Sequence, residues 1–231
     1  PAHGETLRVA VAANFYPTLE NLIVDYEHRG DVQLVSGSSG KLFAQISNGA
    51  PFHVFLSADR LRPTRLEQED LAVANTRFTY ALGQLVLWHP NLKTSAVQSA
   101  LLHEEGGFIA IANPKFAPYG EAAEEILRNM GIWPMIQNRI SRGESVAQTY
   151  QFVASGQASL GFVAHAQVLA VGATQENYVL FRPNQYHPIE QQGVLVKDTT
   201  PARRFIEFLT SPETQSKLSS YGYGVANAGG G

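Results

Sequence analysis

The sequence contains no cysteine among its 231 residues. It therefore forms no disulfide bond and offers no thiolate ligand to a metal, and this absence is compatible with either redox compartment. No apolar run reaches the ~18 residues that predict a membrane-spanning helix. The net charge is −3 with both signs mixed along the chain, so no basic stretch indicates nucleic acid or an anionic membrane as a partner.

The motifs of several enzyme classes are also missing. The seven histidines are scattered, with no His-Glu-x-x-His pattern, so no catalytic metal site is predicted. The segment SGSSGK (36–41) resembles a phosphate loop, but Val35 stands where the first glycine should be and Leu42 where the Mg²⁺-binding hydroxyl should be. The same segment is one residue too short for the Gly-x-Ser-x-Gly turn of serine hydrolases. We predict neither catalytic residues nor a cofactor.

Short apolar runs alternate with amphipathic stretches along the chain. The apolar runs predict buried strands, and apolar residues at helical spacing predict helices. The alternation with short connections predicts an α/β fold with parallel-type sheets covered by helices. The predicted strands are 7–13, 32–36, 52–59, 80–89, 108–114, 138–143, 160–166, 178–183 and 191–198. The predicted helices are 15–30, 41–49, one interrupted near Pro63, 94–102, 121–131, 146–156 and 201–222.

Four strand-to-helix turns contain small or polar residues, namely AANF (12–15), SGSSGK (36–41), NPKFAPYGEA (113–122) and GESVAQ (143–148). In open α/β sheets, ligands bind outside the carboxyl ends of the strands, where such turns lie. A helix N-terminus offers unpaired N–H groups and a partial positive charge. Converging N-termini can therefore hold an anion without any charged side chain. If each of two lobes contributes two turns, the anion is expected between the lobes.

Each candidate residue in these turns also has an ordinary structural interpretation. Ser38, Ser39 and Asn14 fit helix N-caps, which stabilise a helix by ~0.5–2 kcal/mol relative to alanine. Tyr119 fits a packed loop aromatic. Val146 fits a core residue of which only the backbone N–H could bind a ligand. Capping and anion binding use the same donors, so the two interpretations are compatible.

Several segments together resemble the periplasmic molybdate-binding proteins of ABC transporters, a branch of the type II solute-binding proteins. They are AANF, SGSSG, NGAPFHVFLSAD, FTYALGQLVLW, NPKFAPYGEAA, GESVAQ and ASLGFVA. The resemblance covers nearly the whole chain, and NGAP followed by VFLSAD is its most specific part. It implies a two-lobed α/β fold, each lobe a mixed, mostly parallel sheet flanked by helices, with the ligand in the interlobe cleft. The implied lobes are residues 5–81 with 193–225 and residues 82–192, and residues 226–231 are expected to form a disordered tail.

The resemblance also implies a site of neutral hydrogen-bond donors around a tetrahedral dianion. The implied ligand residues are Asn14, Ser39, Tyr119 and Val146, with Ala13 and Ser38 adjacent. Some family members have a tyrosine donor at the position of Ala164. This sequence instead has Tyr119 in the APYG turn, which resembles a second subgroup of the family. Molybdenum is expected only within the bound oxyanion, without direct protein–metal ligands.

The function that this resemblance implies is an extracytoplasmic receptor that captures molybdate or tungstate and delivers it to the membrane permease of an ABC importer. The implied chain is monomeric and periplasmic, a mature chain without a signal peptide. One open alternative is a receptor of the same fold for sulfate, phosphate or ferric ion, the last weakly indicated by YGYG (221–224). The other is an α/β hydrolase-type enzyme, for which Glu121 and Glu144 are the only acids close to the turns.

Overall fold

The computed structural model describes residues 6–103 and 107–224, which form two compact units. The first unit contains the described residues up to Leu82, Glu190–Ser220 and Gly224. The second contains Gly83–Ile189 and Tyr221–Tyr223. The tail predicted over 226–231 lies outside the described residues. Within the described ranges, no helix has the length and apolar character that a membrane span requires.

The strands are short and alternate with helices, as predicted. The strands are β1 (Leu7–Ala12), β2 (Val32–Gly37), β3 (Val54–Leu56), β4 (Phe78–Gly83), β5 (Leu85–Trp88), β6 (Ile109–Ala112), β7 (Ile140–Gly143), β8 (Leu160–Ala164), β9 (Tyr178–Leu180) and β10 (Ile189–Leu195). The helices are α1 (Tyr16–Leu22), α2 (Ser39–Ser47), α3 (Leu61–Gln68), α4 (Thr94–Leu102), α5 (Pro118–Asn129), α6 (Trp133–Ile136), α7 (Val146–Ala154), α8 (His165–Ala170), α9 (Thr200–Thr210) and α10 (Pro212–Lys217).

Each unit is built around one five-stranded mixed sheet. The first sheet has the order β2-β1-β3-β10-β4, with β1 parallel to β2 and β3, and β10 antiparallel to β3. The second has the order β7-β6-β8-β5-β9, with β6 parallel to β7 and β8, and β5 antiparallel to β8 and β9. The α/β class with mixed sheets is confirmed, although antiparallel pairs make up half of the second sheet.

Parallel pairing brings the predicted turns together in pairs. In the first sheet Ala12 lies opposite Gly37, so the turns after β1 and β2 are neighbours. In the second sheet Ala112 lies opposite Gly143, so the turns after β6 and β7 are neighbours. Since the carboxyl ends of parallel strands lie at the same sheet edge, each unit presents two helix starts at one edge.

Several predicted elements are wrong in their extent, and the strands predicted over 52–59 and 178–183 are only Val54–Leu56 and Tyr178–Leu180. The strand predicted over 80–89 is two strands, β4 and β5, separated at Gln84. The strand predicted over 160–166 ends at Ala164, where α8 follows directly. The helix predicted over 15–30 stops as an α-helix at Leu22 and continues as a single 3₁₀ turn, Ile23–Asp25.

The helix predicted over 201–222 is also wrong in its extent, because it is divided at Ser211. Ser211 precedes Pro212 and is extended, with φ −60° and ψ 146°, as expected because proline disfavours the helical conformation in the residue before it. The interruption predicted near Pro63 is also wrong. Pro63 lies in the first turn of α3, where its missing N–H removes no helical hydrogen bond.

Candidate functional site

The first group of candidate residues lies at the carboxyl ends of β1 and β2. The backbone N–H of Ala13 donates to the Gly37 carbonyl at 2.9 Å, which joins the two turns. The side chains of Asn14, Ser38 and Ser39 are all buried there. Buried polar side chains normally have hydrogen-bond partners, so the partners of these three indicate what each does.

Ser38 occupies the N-cap position of α2, and its carbonyl accepts from the Leu42 N–H at 3.0 Å. Its side chain makes no capping hydrogen bond, so the capping interpretation of this hydroxyl is wrong. The residue is only 4% exposed, and its Oγ has no hydrogen-bond partner among the residues that the structure describes. An unsatisfied buried hydroxyl costs about 1–3 kcal/mol, which favours a role in binding a ligand.

Ser39 is the first residue of α2 rather than its cap. Its Oγ accepts a hydrogen bond at 2.9 Å from the backbone N–H of Ala58, in the connection between β3 and α3. The capping interpretation is therefore wrong for this serine as well. A serine hydroxyl has one hydrogen and two lone pairs, so this contact uses a lone pair and keeps the O–H hydrogen for an acceptor.

Asn14 does not cap a helix either, because Phe15 takes the N-cap position before α1. The Asn14 Nδ2 group donates to Gln191 Oε1 at 3.0 Å, and both side chains are buried. The same Gln191 oxygen lies 3.0 Å from the Tyr80 hydroxyl. The sequence analysis missed Gln191 and Tyr80. The signal that could have indicated Gln191 is a glutamine pair inside the otherwise apolar end of a predicted strand.

The second group of candidate residues lies at the carboxyl ends of β6 and β7. The backbone N–H of Asn113 donates to the Gly143 carbonyl at 2.7 Å, which is the same link that Ala13 makes in the first unit. Tyr119 is buried and is the second residue of α5, so it is a helix residue rather than a loop aromatic. Gly120 allows this start, because a Cβ atom there would lie 2.1 Å from the Ala112 carbonyl oxygen.

Val146 is the first residue of α7, which is capped by the Ser145 side chain accepting from Gln148 N–H at 3.2 Å. The Val146 side chain is buried, as predicted for a core residue. Its backbone N–H has no hydrogen-bond partner in the described part of the chain. Its carbonyl accepts from Gln167 Nε2 at 3.0 Å. The Gln167 bond holds the Val146–Ala147 peptide, and the N–H of the preceding peptide is one of those that the start of a helix leaves without an intrahelical partner.

Ala164 ends β8 and is the N-cap residue of α8. Its N–H donates to Gln167 Oε1 at 2.9 Å. Gln167 thus bonds Ala164 through its oxygen and Val146 through its nitrogen. One amide side chain therefore joins the starts of α7 and α8.

The candidate residues are of uncharged types, and α8 begins with a titratable ring, His165. Burial lowers the pKa of the His165 imidazole, and a backbone hydrogen bond at Gly222 offsets this only in part. The ring nitrogens lie 2.9 Å from Gln84 Oε1 and 2.9 Å from the Tyr178 hydroxyl. Across the described ranges, no group of three or more His, Cys, Asp or Glu side chains could hold a metal ion. The geometry suits hydrogen bonding to an anion rather than ion pairing or metal coordination.

Known proteins resemble the chain over nearly its full length. The profile of the family described as "Bacterial extracellular solute-binding protein" matches residues 7–224. The molybdate-binding protein ModA of Azotobacter vinelandii is 38% identical over 231 residues, which is 97% of this chain and 92% of that protein. The molybdate-binding protein ModA of Rhodobacter capsulatus is 38% identical over 228 residues, or 96% of this chain and 90% of that protein.

The solved structure of the Azotobacter vinelandii periplasmic molybdate-binding protein is also similar. The TM-score is 0.87 and the sequence identity is 37%. The match covers 96% of this chain and 100% of that chain. The resemblance to molybdate-binding proteins and the two-lobed α/β fold are confirmed by these relatives. The chain belongs to the bacterial extracellular solute-binding proteins.

Proposed function

We propose that this chain is the receptor of an ABC importer, which captures molybdate or tungstate outside the cytoplasmic membrane and delivers it to the membrane permease. The proposal rests on one observation in particular. Buried, uncharged donors at helix starts include the Ser38 hydroxyl and the Val146 N–H, neither of which has a partner in the described chain. Relatives of similar length at 38% identity bind molybdate by name, which supports the choice of anion.

We propose Asn14, Ser39, Tyr119 and Val146 as the ligand residues, with Ser38 as a fifth donor. The Ala13 N–H is not included because it already donates to Gly37. A buried dianion without hydrogen bonds would cost many kcal/mol. Each charge-assisted hydrogen bond contributes ~1.5–3 kcal/mol, and each helix N-terminus contributes up to ~2 kcal/mol. Several such donors are enough for micromolar binding, which requires about 8 kcal/mol.

An uncharged site also suits delivery, because no ion pair has to break when the anion leaves for the permease. The proposed receptor acts as a periplasmic monomer, needs no cofactor and binds molybdenum only within the oxyanion. An enzymatic role is not proposed. Glu121 and Glu144 are both exposed, and Glu121 lies in the first turn of α5, where the helix dipole favours an acid.

A thermal-shift panel with molybdate, tungstate, sulfate and phosphate tests the function. At one hundred times Kd, binding stabilises the folded protein by ~2.7 kcal/mol, or a rise in melting temperature of roughly 5–10 °C for this size class. We expect that rise with molybdate and tungstate and a far smaller one with sulfate and phosphate. Equal shifts with all four anions would refute selection by size. No shift with any anion would refute the proposed function.

A further inference from the structure

A chain of hydrogen bonds inside the first unit connects two of the proposed ligand residues. Gln191 lies in β10 and is 0% exposed. Its Oε1 accepts from Asn14 Nδ2 at 3.0 Å and lies 3.0 Å from the Tyr80 hydroxyl. Two polar groups that are distant in sequence, 177 and 111 residues from Gln191, therefore meet at a single amide oxygen.

Tyr80 lies in β4, the neighbour of β10, and is also fully buried. Its hydroxyl lies 2.9 Å from the carbonyl oxygen of Ser57. Because a tyrosine hydroxyl has one hydrogen, that hydrogen is shared between the Ser57 carbonyl and the Gln191 oxygen. The position of this hydroxyl therefore depends on both partners.

The Ser57 carbonyl and the Ala58 N–H belong to the same peptide group. The N–H side of this peptide donates to Ser39 Oγ at 2.9 Å. We define the polar relay as the connected set that results, listed from one end to the other as Asn14, Gln191, Tyr80, the Ser57–Ala58 peptide and Ser39.

We infer that Gln191 and Tyr80 are positioning residues for anion binding, which act by holding Asn14 and Ser39 in the orientation that binds the ligand. Gln191 fixes the orientation of the Asn14 amide. Tyr80 fixes the Ser57–Ala58 peptide, whose N–H donates to a lone pair of Ser39 Oγ. The hydroxyl hydrogen of Ser39 is then directed to another acceptor, which in this inference is the ligand. Donors that are oriented before binding lose less entropy when the ligand arrives. The inference rests on the proposed function.

The strands that supply Gln191 and Tyr80 also carry two of the chain's passages between the units, and the others lie on either side of Tyr221–Tyr223. The divisions fall between Leu82 and Gly83 in β4 and between Ile189 and Glu190 in β10. The polar relay therefore bonds the ligand residues to both connecting strands. If Gln191 and Tyr80 had only a packing role, apolar side chains would fill these positions at less cost. A buried polar group is costly unless its hydrogen-bonding atoms have partners.

The test replaces Gln191 and uses its neighbour as a matched control. Gln191→Leu removes the shared acceptor and keeps the size of the side chain. Gln192→Leu removes a buried glutamine of the same strand that bonds Thr79 at 3.1 Å and takes no part in the polar relay. By titration calorimetry with molybdate, we expect Gln191→Leu to weaken binding roughly ten-fold and Gln192→Leu to leave Kd within about two-fold.

A conservative variant separates positioning from a general loss of structure. Gln191→Glu keeps an acceptor oxygen, and burial raises the pKa of the introduced carboxyl. At about pH 5.5 its neutral acid should accept from both partners, and molybdate affinity should recover toward the parent value. At about pH 8 ionisation places a negative charge beside the dianion, and affinity should fall. Gln191→Leu should remain weak at both pH values relative to the parent.

The outcomes distinguish the inference from the function on which it rests. A parent protein that binds molybdate, together with Gln191→Leu binding equally well, would overturn the polar relay alone. Equal weakening by Gln192→Leu would also overturn it. A parent that binds no oxyanion would overturn the proposed function and the inference with it. If Gln191→Leu does not fold, Tyr80→Phe, which removes a single oxygen atom, replaces it with the same expected weakening and the same grounds for refutation.

Discussion

Replacing Ser38 with alanine should change stability and affinity in opposite directions. The Ser38 hydroxyl is buried and has no partner within the described residues. In the ligand-free protein, Ser38→Ala removes this unsatisfied group, which costs about 1–3 kcal/mol. The ligand-free variant should therefore be at least as stable as the parent and up to ~3 kcal/mol more stable. In a chain of this size, each kcal/mol changes the melting temperature by roughly 2–4 °C.

The affinity for molybdate should fall, because the variant has lost a hydrogen-bond donor to a charged ligand. A charge-assisted hydrogen bond is worth ~1.5–3 kcal/mol, so we expect Kd for molybdate to rise roughly ten- to a hundred-fold. The free energy of unfolding is measured by urea denaturation without ligand, and Kd is measured by titration calorimetry.

Ser211→Ala is the control for this pair of measurements. The Ser211 side chain is a true cap of α10, since its Oγ accepts from the Thr214 N–H at 3.2 Å. Its loss should lower stability by ~0.5–2 kcal/mol and leave Kd unchanged. If Ser38→Ala behaves like Ser211→Ala, the hydroxyl of Ser38 is structural and our interpretation of it is wrong.

Three further predictions concern Ser39, Tyr119 and His165. Ser39→Ala should lower both affinity and ligand-free stability, because the buried Ala58 N–H loses its acceptor; a variant with parental Kd by calorimetry would remove Ser39 from the ligand set. Tyr119→Phe should raise Kd roughly ten- to a hundred-fold with little change in melting temperature, and unchanged calorimetry would make Tyr119 a packing residue only. The His165 pKa is lowered in the folded protein, so its contribution to stability is present above the unfolded value of about 6.5 and is lost as pH falls below it. Thermal melts from about pH 8 to about pH 5 should show that loss of stability, and the loss should be smaller in His165→Gln. An equal change of melting temperature with pH in the parent and in His165→Gln would contradict this prediction.

Local pattern was sufficient to predict the alternation of strands and helices. The four strand-to-helix turns were also predictable, because small and polar residues between a strand run and a helix run identify such a turn without any tertiary contact. Parallel pairing of β1 with β2, and of β6 with β7, then follows from strands joined by helices. The lengths of the individual strands and helices were less predictable. The division of the strand over 80–89 at Gln84 has no local signal as strong as the one at Pro212.

The hydrogen-bond partners of the candidate residues were not predictable in the same way. Ser38, Ser39 and Asn14 have the side chains of helix caps, and local preference alone favours capping. In the structure Ser39 bonds Ala58, and Asn14 bonds Gln191 at a separation of 177 residues. These partners meet because the strand order β2-β1-β3-β10-β4 brings segments that are distant in the chain into one sheet.

The sequence by itself therefore determined which segments are strands and helices and where the four strand-to-helix turns lie, since each depends on residues that are close in the chain. Only the tertiary structure decided which polar groups of those turns bond other residues and which, like the Ser38 hydroxyl, have no partner within the described chain. That choice depends on strand order and register, which place Tyr80 and Gln191 beside Asn14 and the Ala58 N–H beside Ser39. Such contacts between distant segments result from the burial of whole sheet faces and have no local counterpart in the sequence.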